Sequence, residues 1–446
     1  MTGIIQRYLR LTIWPIILAM ILLMGVGVAA ITVSDHAQLA GKQTVFMVVG
    51  LVAFGVATLV PYQRFGKGAY LLFGITLPLL VALLVVPRYL GSAGPLRWLF
   101  PSINGAHRWI NMGPVMFQPS ELAKLSFILM LAWYLRYGDH YRKLSGLIPP
   151  FILAMVPMFL ILKEPDLGTS LLLLPTLYFM LYMAGARLRH LLGIIAVATV
   201  LMLLPLPREL TSDMPAAEAV DRRALPYGSV TVGGREYAVM PVMLAAMEPH
   251  QLRRIDGWLR QGDPEAAGDE GYQLRQSKMI LSVGSLFGGG GWNETNQFYR
   301  TLPECESDFI FAVIGGQWGI AGCIAVLLLY SLIFICGIEI AVGTNDPFGR
   351  LLAVGVVGLL LSQVVINVAV VVGLMPVTGM TLPLVSYGGT SLVVNCIAMG
   401  LLVNVGQRHP ISLAPRPFEH GDKQGPEAPY GPMSTGEPER RSRRGG

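Results

Sequence analysis

The 446 residues are 53% hydrophobic and only 13% charged. Soluble domains carry about 25% charged residues, so a soluble globular protein is excluded and an integral membrane protein is indicated. The formal net charge of +6 is not a nucleic-acid signature, because the basic residues are scattered through short loops and the C-terminal tail.

In chain order, apolar segments cover 11–33, 44–62, 68–87, 118–136, 147–163, 167–186, 188–206, 308–341, 350–374 and 389–406. A span needs roughly 20 residues, so the predicted fold is an all-α integral membrane protein of about ten transmembrane helices. A large extracytoplasmic loop, 207–307, separates helices 7 and 8. The segment 308–341 exceeds one bilayer thickness and is expected to tilt or to project beyond it. Arg7 and Arg10 precede an apolar run with no small-residue cleavage site, which reads as a retained first helix.

Orientation follows from the short loops. With the N-terminus inside, Arg64, Lys67, Arg136, Arg142, Lys143, Arg187, Arg189, Arg350 and Arg408 fall on the inner side, and Lys42, Arg88, Arg97 and Arg108 on the outer side. Both termini are therefore predicted to be cytoplasmic, in a multi-pass protein of the bacterial cytoplasmic membrane. The same topology places every polar or glycine-rich irregular segment on the outer face: 87–120, Glu164 to Gly168, 207–307, and the turn from Pro376 to Ser391. The predicted organisation is thus helices 1–7 over 1–206 with an outer loop at 87–117, the loop 207–307, helices 8–10 over 308–408, and a cytoplasmic tail over 409–446. Within the loop, the alternation around Gly233-Gly234 predicts a small hairpin over 227–239. From His250 to Gly291 the loop turns basic and then glycine-rich. The tail, rich in Pro, Gly and charge, is expected to be disordered.

Three stretches carry candidate chemistry. Pro119-Ser120-Glu121 reads as a helix start, and Glu121 and Lys124, three apart, share a face. Charges at the edge of a membrane bundle are costly and usually functional, although a purely structural ion pair fits the same spacing. Arg108 beside Trp109 suits an anionic headgroup at an interface, and Arg253, Arg254, Arg260, Arg275 and Lys278 add cationic character to the outer loop. Pro303-Glu304-Cys305-Glu306-Ser307-Asp308 stands where that loop meets an apolar helix. A partly desolvated Asp308 there can be raised toward a useful general-base pKa, or it can cap the helix.

The run Ser282 to Trp292 permits close backbone approach and is not a nucleotide loop, since no Gly-Lys-Ser/Thr follows. The stretch Met375 to Ser391 sets breakers and hydroxyls at membrane depth, where irregular backbone must be buried in protein or line a cavity. Cys305, Cys323, Cys336 and Cys396 lack the spacing of a metal site or a disulfide framework.

These motifs resemble the shape, elongation, division and sporulation family of cell-wall polymerases, which includes RodA and FtsW. The resemblance covers about residues 10–408. It rests on Arg108-Trp109-Ile110, Gln118 to Lys124, Glu164 to Thr169, Gly271-Tyr272-Gln273, Leu302-Pro303-Glu304, Asp308 to Ala312, and Pro376 to Ser391. Leu286-Phe287-Gly288 and Phe117-Gln118-Pro119-Ser120 tilt it toward the RodA branch.

The resemblance implies a glycosyltransferase that polymerises lipid II on the outer membrane face, releasing undecaprenyl diphosphate, beside a class B penicillin-binding protein that crosslinks the strands. Asp308 matches the family's essential aspartate, the base. Glu121 and Lys124 match its functional pair, and Arg108 a diphosphate contact. Glu304, Arg253, Arg254, Ser386 and Tyr387 complete the candidate substrate-binding set. A divalent cation, Mg or Mn, could assist the leaving group, but no ligand cluster marks a site for it.

The chain departs from the family pattern at Glu306-Ser307, where His-Thr is usual, and Glu306 is expected to raise Asp308 if the two are close. At Gly315-Gly316-Gln317-Trp318-Gly319 two family acids are lost. The alternative readings are a lipid-linked precursor flippase or transporter, and a non-catalytic scaffold for the transpeptidase.

Overall fold

The computed structural model describes residues 2–34, 37–90, 98–103, 106–113, 115–138, 140–203, 205–206, 229–232, 235–238, 240–241, 249–262, 269–288 and 302–408. The tail, most of 207–248 and Gly289 to Trp292 lie outside them.

Ten apolar helices correspond to the ten predicted segments: α1 (Thr2–Val33), α2 (Ala37–Leu59), α3 (Tyr62–Leu90), α4 (Pro119–Leu135), α5 (Ile148–Lys163), α6 (Leu167–Ala184), α7 (Leu188–Leu203), α10 (Ile310–Gly343), α11 (Pro347–Val371) and α12 (Gly389–Gln407). Among the described residues eight are long and apolar enough to cross a membrane; α4 has 17 residues, and α7 contains the shorter apolar stretch Leu188–Leu201. Two further helices, α8 (Pro249–Leu259) and α9 (Asp269–Val283), lie in the 207–307 segment, whose sequence shows only basic and glycine-rich character there. The predicted hairpin forms, β4 (Ser229–Val232) pairing antiparallel with β5 (Arg235–Ala238). Short pairs β1 (Ile110–Asn111) with β2 (Met116–Phe117), and β3 (Pro205–Leu206) with β6 (Met240–Pro241), complete the strands described.

Hydrophobic surface is divided by position in the bundle. Within α12 and α11, 83% and 67% of the most apolar window is buried, which puts these helices at the centre, whereas α2, at 22%, is peripheral. The outward face of α2 presents Val45, Val48, Val49, Val52 and Val56, a stripe suited to lipid. Its inner face packs against α12.

The segment expected to tilt or to project beyond the bilayer is broken within its length. Gly319 leaves the helical region (φ 67°, ψ −166°) and divides α10. The first piece is buried from Ile310 to Gly316, and the second exposes Ile320, Ile324, Leu328, Leu332, Ile335 and Ile338 at helical spacing. The backbone amides freed at the break are taken by the loop after α9: Ile320 N donates to Ser285 O at 3.1 Å, and Ala321 N to Leu286 O at 3.0 Å. A side chain at Gly319 would meet Gly288 N at 2.5 Å, so this glycine is required for that close approach. The length of 308–341 therefore reflects a short buried helix joined to a spanning one.

The two ends of the bundle differ. One carries short connections between α2 and α3, α6 and α7, and α10 and α11. The other carries 98–118, the α5–α6 corner, the α8 and α9 helices, the turn 302–309 and the irregular segment 372–388. The irregular segments converge on this second end, as the alternation of spans predicts.

Candidate active site

At that end lies a cavity of about 1090 Å³. Its wall is assembled from α2, the 98–118 segment, the starts of α4 and α6, α8, the turn before α10, and the irregular segment after α11.

Each acid is positioned by local chemistry. Pro119 opens α4, with Gln118 as the cap residue, because proline lacks the N–H that the first turn leaves unpaired. That start places Glu121 and Lys124 on one face, paired at 2.8 Å and respectively 5% and 1% exposed. One oxygen of Glu121, Oε2, has no hydrogen-bond partner. Such a buried pair adds little net stability, but loss of one partner strands a charge.

Asp166 caps α6, accepting from Thr169 N at 3.0 Å, while its other oxygen accepts from Gln118 Nε2 and Ser120 Oγ, both at 3.3 Å. It thereby ties α6 to α4 at the cavity wall. Thr390 links the same corner to α12, donating to Met116 O at 2.8 Å.

Asp308 stands in the turn before α10. It does not cap that helix: Phe309 is the cap residue and no side-chain cap bond forms. The turn pivots on Glu304 (φ 56°), whose carbonyl accepts from the amides of Ser307, Asp308 and Phe309 at 3.0–3.3 Å. The Asp308 carboxyl is half-buried on the cavity wall. Desolvation, then the Glu304 carboxylate and more weakly Asp166, push it up to about 7, against the opposing Arg254 charge and the Ser307 hydroxyl. Arg254 Nη1 and Asp308 Oδ2 each lie 3.6 Å from the point that a Cβ at Gly379 would occupy, so carboxylate and guanidinium flank the same glycine.

Glu306 does not have the expected effect. The turn directs its carboxylate away, to accept from Cys305 Sγ at 3.5 Å. It contributes to raising the Cys305 thiol, pushed up to about 12 chiefly by burial, and the Tyr387 hydroxyl, also raised chiefly by burial. The acidic neighbour that acts on Asp308 is Glu304.

Of the other candidate residues, Arg108, Glu304, Arg254 and Tyr387 line the cavity with Glu121 and Lys124. Arg108 is engaged, donating through Nε to Glu164 O at 2.9 Å and through Nη2 to Pro165 O. It clasps the 98–118 segment to the α5–α6 corner while facing the cavity. Arg253 is exposed and outside the lining, because it is one residue round α8 from Arg254. Ser386 is also outside the lining: its hydroxyl donates to Ser307 O and accepts from Leu382 N at 2.7 Å. It satisfies the irregular backbone instead of facing a ligand.

Asn367, which donates to Asp308 O at 2.9 Å, Gln363, which lines the cavity, and Glu164 are not singled out by sequence pattern. Glu164 is 2% exposed and neither carboxyl oxygen has a partner. Burial, reinforced by Asp166 and opposed by Arg108, pushes it up to about 9, so at neutral pH it is a neutral acid. The Asp166-Leu-Gly-Thr169 pattern is a legible N-cap signal; nothing local marks Asn367 or Gln363 within apolar α11. Among the described residues no three His, Cys, Asp or Glu side chains gather as a metal set.

The chain matches the FtsW, RodA and SpoVE family model, described as cell cycle protein, over residues 6–212 and 229–410. The peptidoglycan glycosyltransferase RodA of Treponema pallidum is 32% identical over 402 residues, covering 82% of this chain and 89% of the relative. An FtsW protein of Trichlorobacter lovleyi is also 32% identical, over 381 residues, 84% of this chain and 86% of the relative. The RodA and FtsW branches are thus not separated by identity. A solved chain from a peptidoglycan synthase complex that coordinates polymerization and crosslinking superposes with a TM-score of 0.67 at 27% identity, covering 88% of this chain and 97% of that one. With the family model matched over nearly all of its helical body, the chain belongs to the FtsW/RodA/SpoVE family of multi-pass membrane proteins.

Proposed function

We propose that this chain is a peptidoglycan glycosyltransferase that polymerises lipid II into glycan strands at the outer face of the cytoplasmic membrane, with Asp308 as general base. The observation that carries the reading is the placement of Asp308, raised to about 7, on a cavity wall shared with Arg108, Lys124 and Arg254. A base near the working pH removes a proton efficiently, and cations facing the same space stabilise a departing diphosphate.

The acceptor sugar hydroxyl gives its proton to Asp308 as its oxygen attacks the anomeric carbon of the donor. The bond from that carbon to the diphosphate oxygen breaks, and undecaprenyl diphosphate leaves with both electrons. A single displacement inverts the α-linkage to a β-linkage. Arg108 has five N–H donors in a planar fork, so holding two carbonyls leaves donors to orient the diphosphate.

The distribution of basic residues in short loops supports an outer cavity and cytoplasmic termini. Leu286-Phe287-Gly288 and Phe117-Gln118-Pro119-Ser120 support the RodA branch and a role in elongation and cell shape. The similarity to a chain from a synthase complex supports a class B penicillin-binding protein as partner. A flippase would need charged groups along a path to the opposite end. The cavity acids and bases named here instead cluster where α4, α6 and α10 begin.

The test is polymerisation of purified lipid II by the purified protein, with and without a class B transpeptidase. Glycan strands are expected. Their absence in both conditions, with lipid II translocation in vesicles, would overturn the reading.

A further inference from the structure

The α8 and α9 helices pack against each other and are fastened to the end of α11 by a compact set of hydrogen bonds. Gly373 follows the α11 cap residue Val372 in the left-handed region (φ 87°), and Leu374 N returns to Ala369 O at 2.8 Å. This is the usual glycine termination of a helix, and it turns the Gly373 carbonyl outward. From α8 and the turn after it, Trp258 Nε1 donates to that carbonyl at 3.0 Å and Gln261 Nε2 at 3.3 Å. From α9, Ser277 Oγ donates to Val371 O at 2.9 Å, and Lys278 Nζ donates to Gln261 Oε1 at 2.8 Å, fixing the amide that grips Gly373. A Cβ at Gly373 would stand 2.8 Å from Gln261 Oε1, so the contact depends on glycine here.

Arg254, Trp258 and Gln261 are spaced four and three apart, the period that keeps side chains on one helical face. The face gripping the end of α11 therefore also carries Arg254 to Gly379, where Asp308 Oδ2 stands. The 372–388 segment begins at this grip and contains Gly379. One attachment thus sets both the position of the cation and the start of the segment whose Gly379 stands beside cation and carboxylate alike.

We propose that Trp258 and Gln261, with Ser277, form a positioning latch that holds Arg254 at the reacting carboxylate. The latch rests on the assignment of Asp308 as base. The charged groups facing Asp308 are Glu304 from its own turn, Asp166 from the start of α6 and Arg254 from α8. The α11 group bound to it, Asn367, is neutral. Arg254 is the cation among them, so releasing it moves the acid limb of the pH profile to higher pH.

The experiment is a double-mutant cycle on the full-length protein, read as kcat/KM for lipid II polymerisation against pH, with Arg254→Ala, Trp258→Phe and the double variant. Residues acting through one contact give non-additive effects. Both single variants are expected to lose activity and to move the acid limb upward. Adding Trp258→Phe to Arg254→Ala is expected to cost less than about two-fold. Multiplying effects with an unmoved limb would overturn the latch. If Trp258→Phe does not fold, Ser277→Ala replaces it in the cycle with the same expected outcomes. Asp308→Asn, run in parallel, separates the two ideas: activity in that variant removes the base assignment, whereas inactivity with an additive cycle removes only the latch.

Discussion

The side-chain amide of Asn367 donates to the backbone carbonyl of Asp308 at 2.9 Å and to that of Met380 at 2.7 Å. It completes a row: Tyr387 N donates to Glu306 O at 2.8 Å and the Ser386 hydroxyl to Ser307 O. Three successive carbonyls of the turn are therefore held from α11 and the irregular segment, which fixes the backbone that carries the Asp308 carboxylate. Asn367→Leu removes both donors and leaves carbonyls unpaired, at about 1–3 kcal/mol each. Thermal unfolding in detergent should show that loss, and polymerisation should fall at least ten-fold in the protein that remains folded.

With Asp308 as the proposed base, which must be deprotonated to act, the acid limb of kcat/KM should lie near pH 7, where its raised pKa falls. Glu304 is the main like-charge contributor to that rise. Glu304→Gln should therefore lower the Asp308 pKa and extend activity to more acid pH. A pH–rate profile checks the direction; a limb that moves upward is the contrary result.

Glu164 gives a stability signature of opposite kind. Its folded pKa of about 9 exceeds the ordinary 4.5, so between those values the folded state binds a proton that the unfolded state lacks. Its stability contribution is fully present below pH 4.5 and is lost as pH rises toward 9. Glu164→Gln keeps a neutral polar group in place and removes that dependence. It should be more stable than the parent at pH 7 by a few kcal/mol, on the order of 1.4 per unit of separation, and no more stable at pH 4. Melting curves across pH provide the measurement.

The Glu121–Lys124 pair admits a structural reading and a functional one, and substitution distinguishes them. Lys124→Ala leaves Glu121 buried without its partner and should cost about 3–5 kcal/mol. Glu121→Gln with Lys124→Met removes both charges and should recover most of that stability. Under the functional reading the folded double variant stays inactive in lipid II polymerisation; full activity would leave the pair purely structural.

The ten apolar segments were legible because hydrophobic length in a membrane protein reports helices directly. The alternation of spans puts Arg108, Glu121, Lys124, Arg254, Glu304 and Asp308 on one face, and the fold brings them to one cavity. The break at Gly319 was not legible, since apolar residues continue through it and only the contact with Gly288 reveals why the chain turns. Residue type points to Ser386 and Arg253, but backbone satisfaction and helix phase take them out of the cavity. One amide in an apolar helix carries no local signal: Asn367 acts through hydrogen bonds made across the bundle, and Gln363 is placed only by the cavity it lines. Glu306 stood closer in sequence to Asp308 than Glu304 did, yet the reversal at Glu304 brings the more distant acid to bear.

The proposed mechanism depends on Asp308 as the proton acceptor. Asp308→Asn keeps the side-chain size and removes the proton acceptor. Purified lipid II should yield no glycan strands with this variant, while its melting temperature and its association with a class B transpeptidase match the parent. Strand formation at the parental rate would contradict the account.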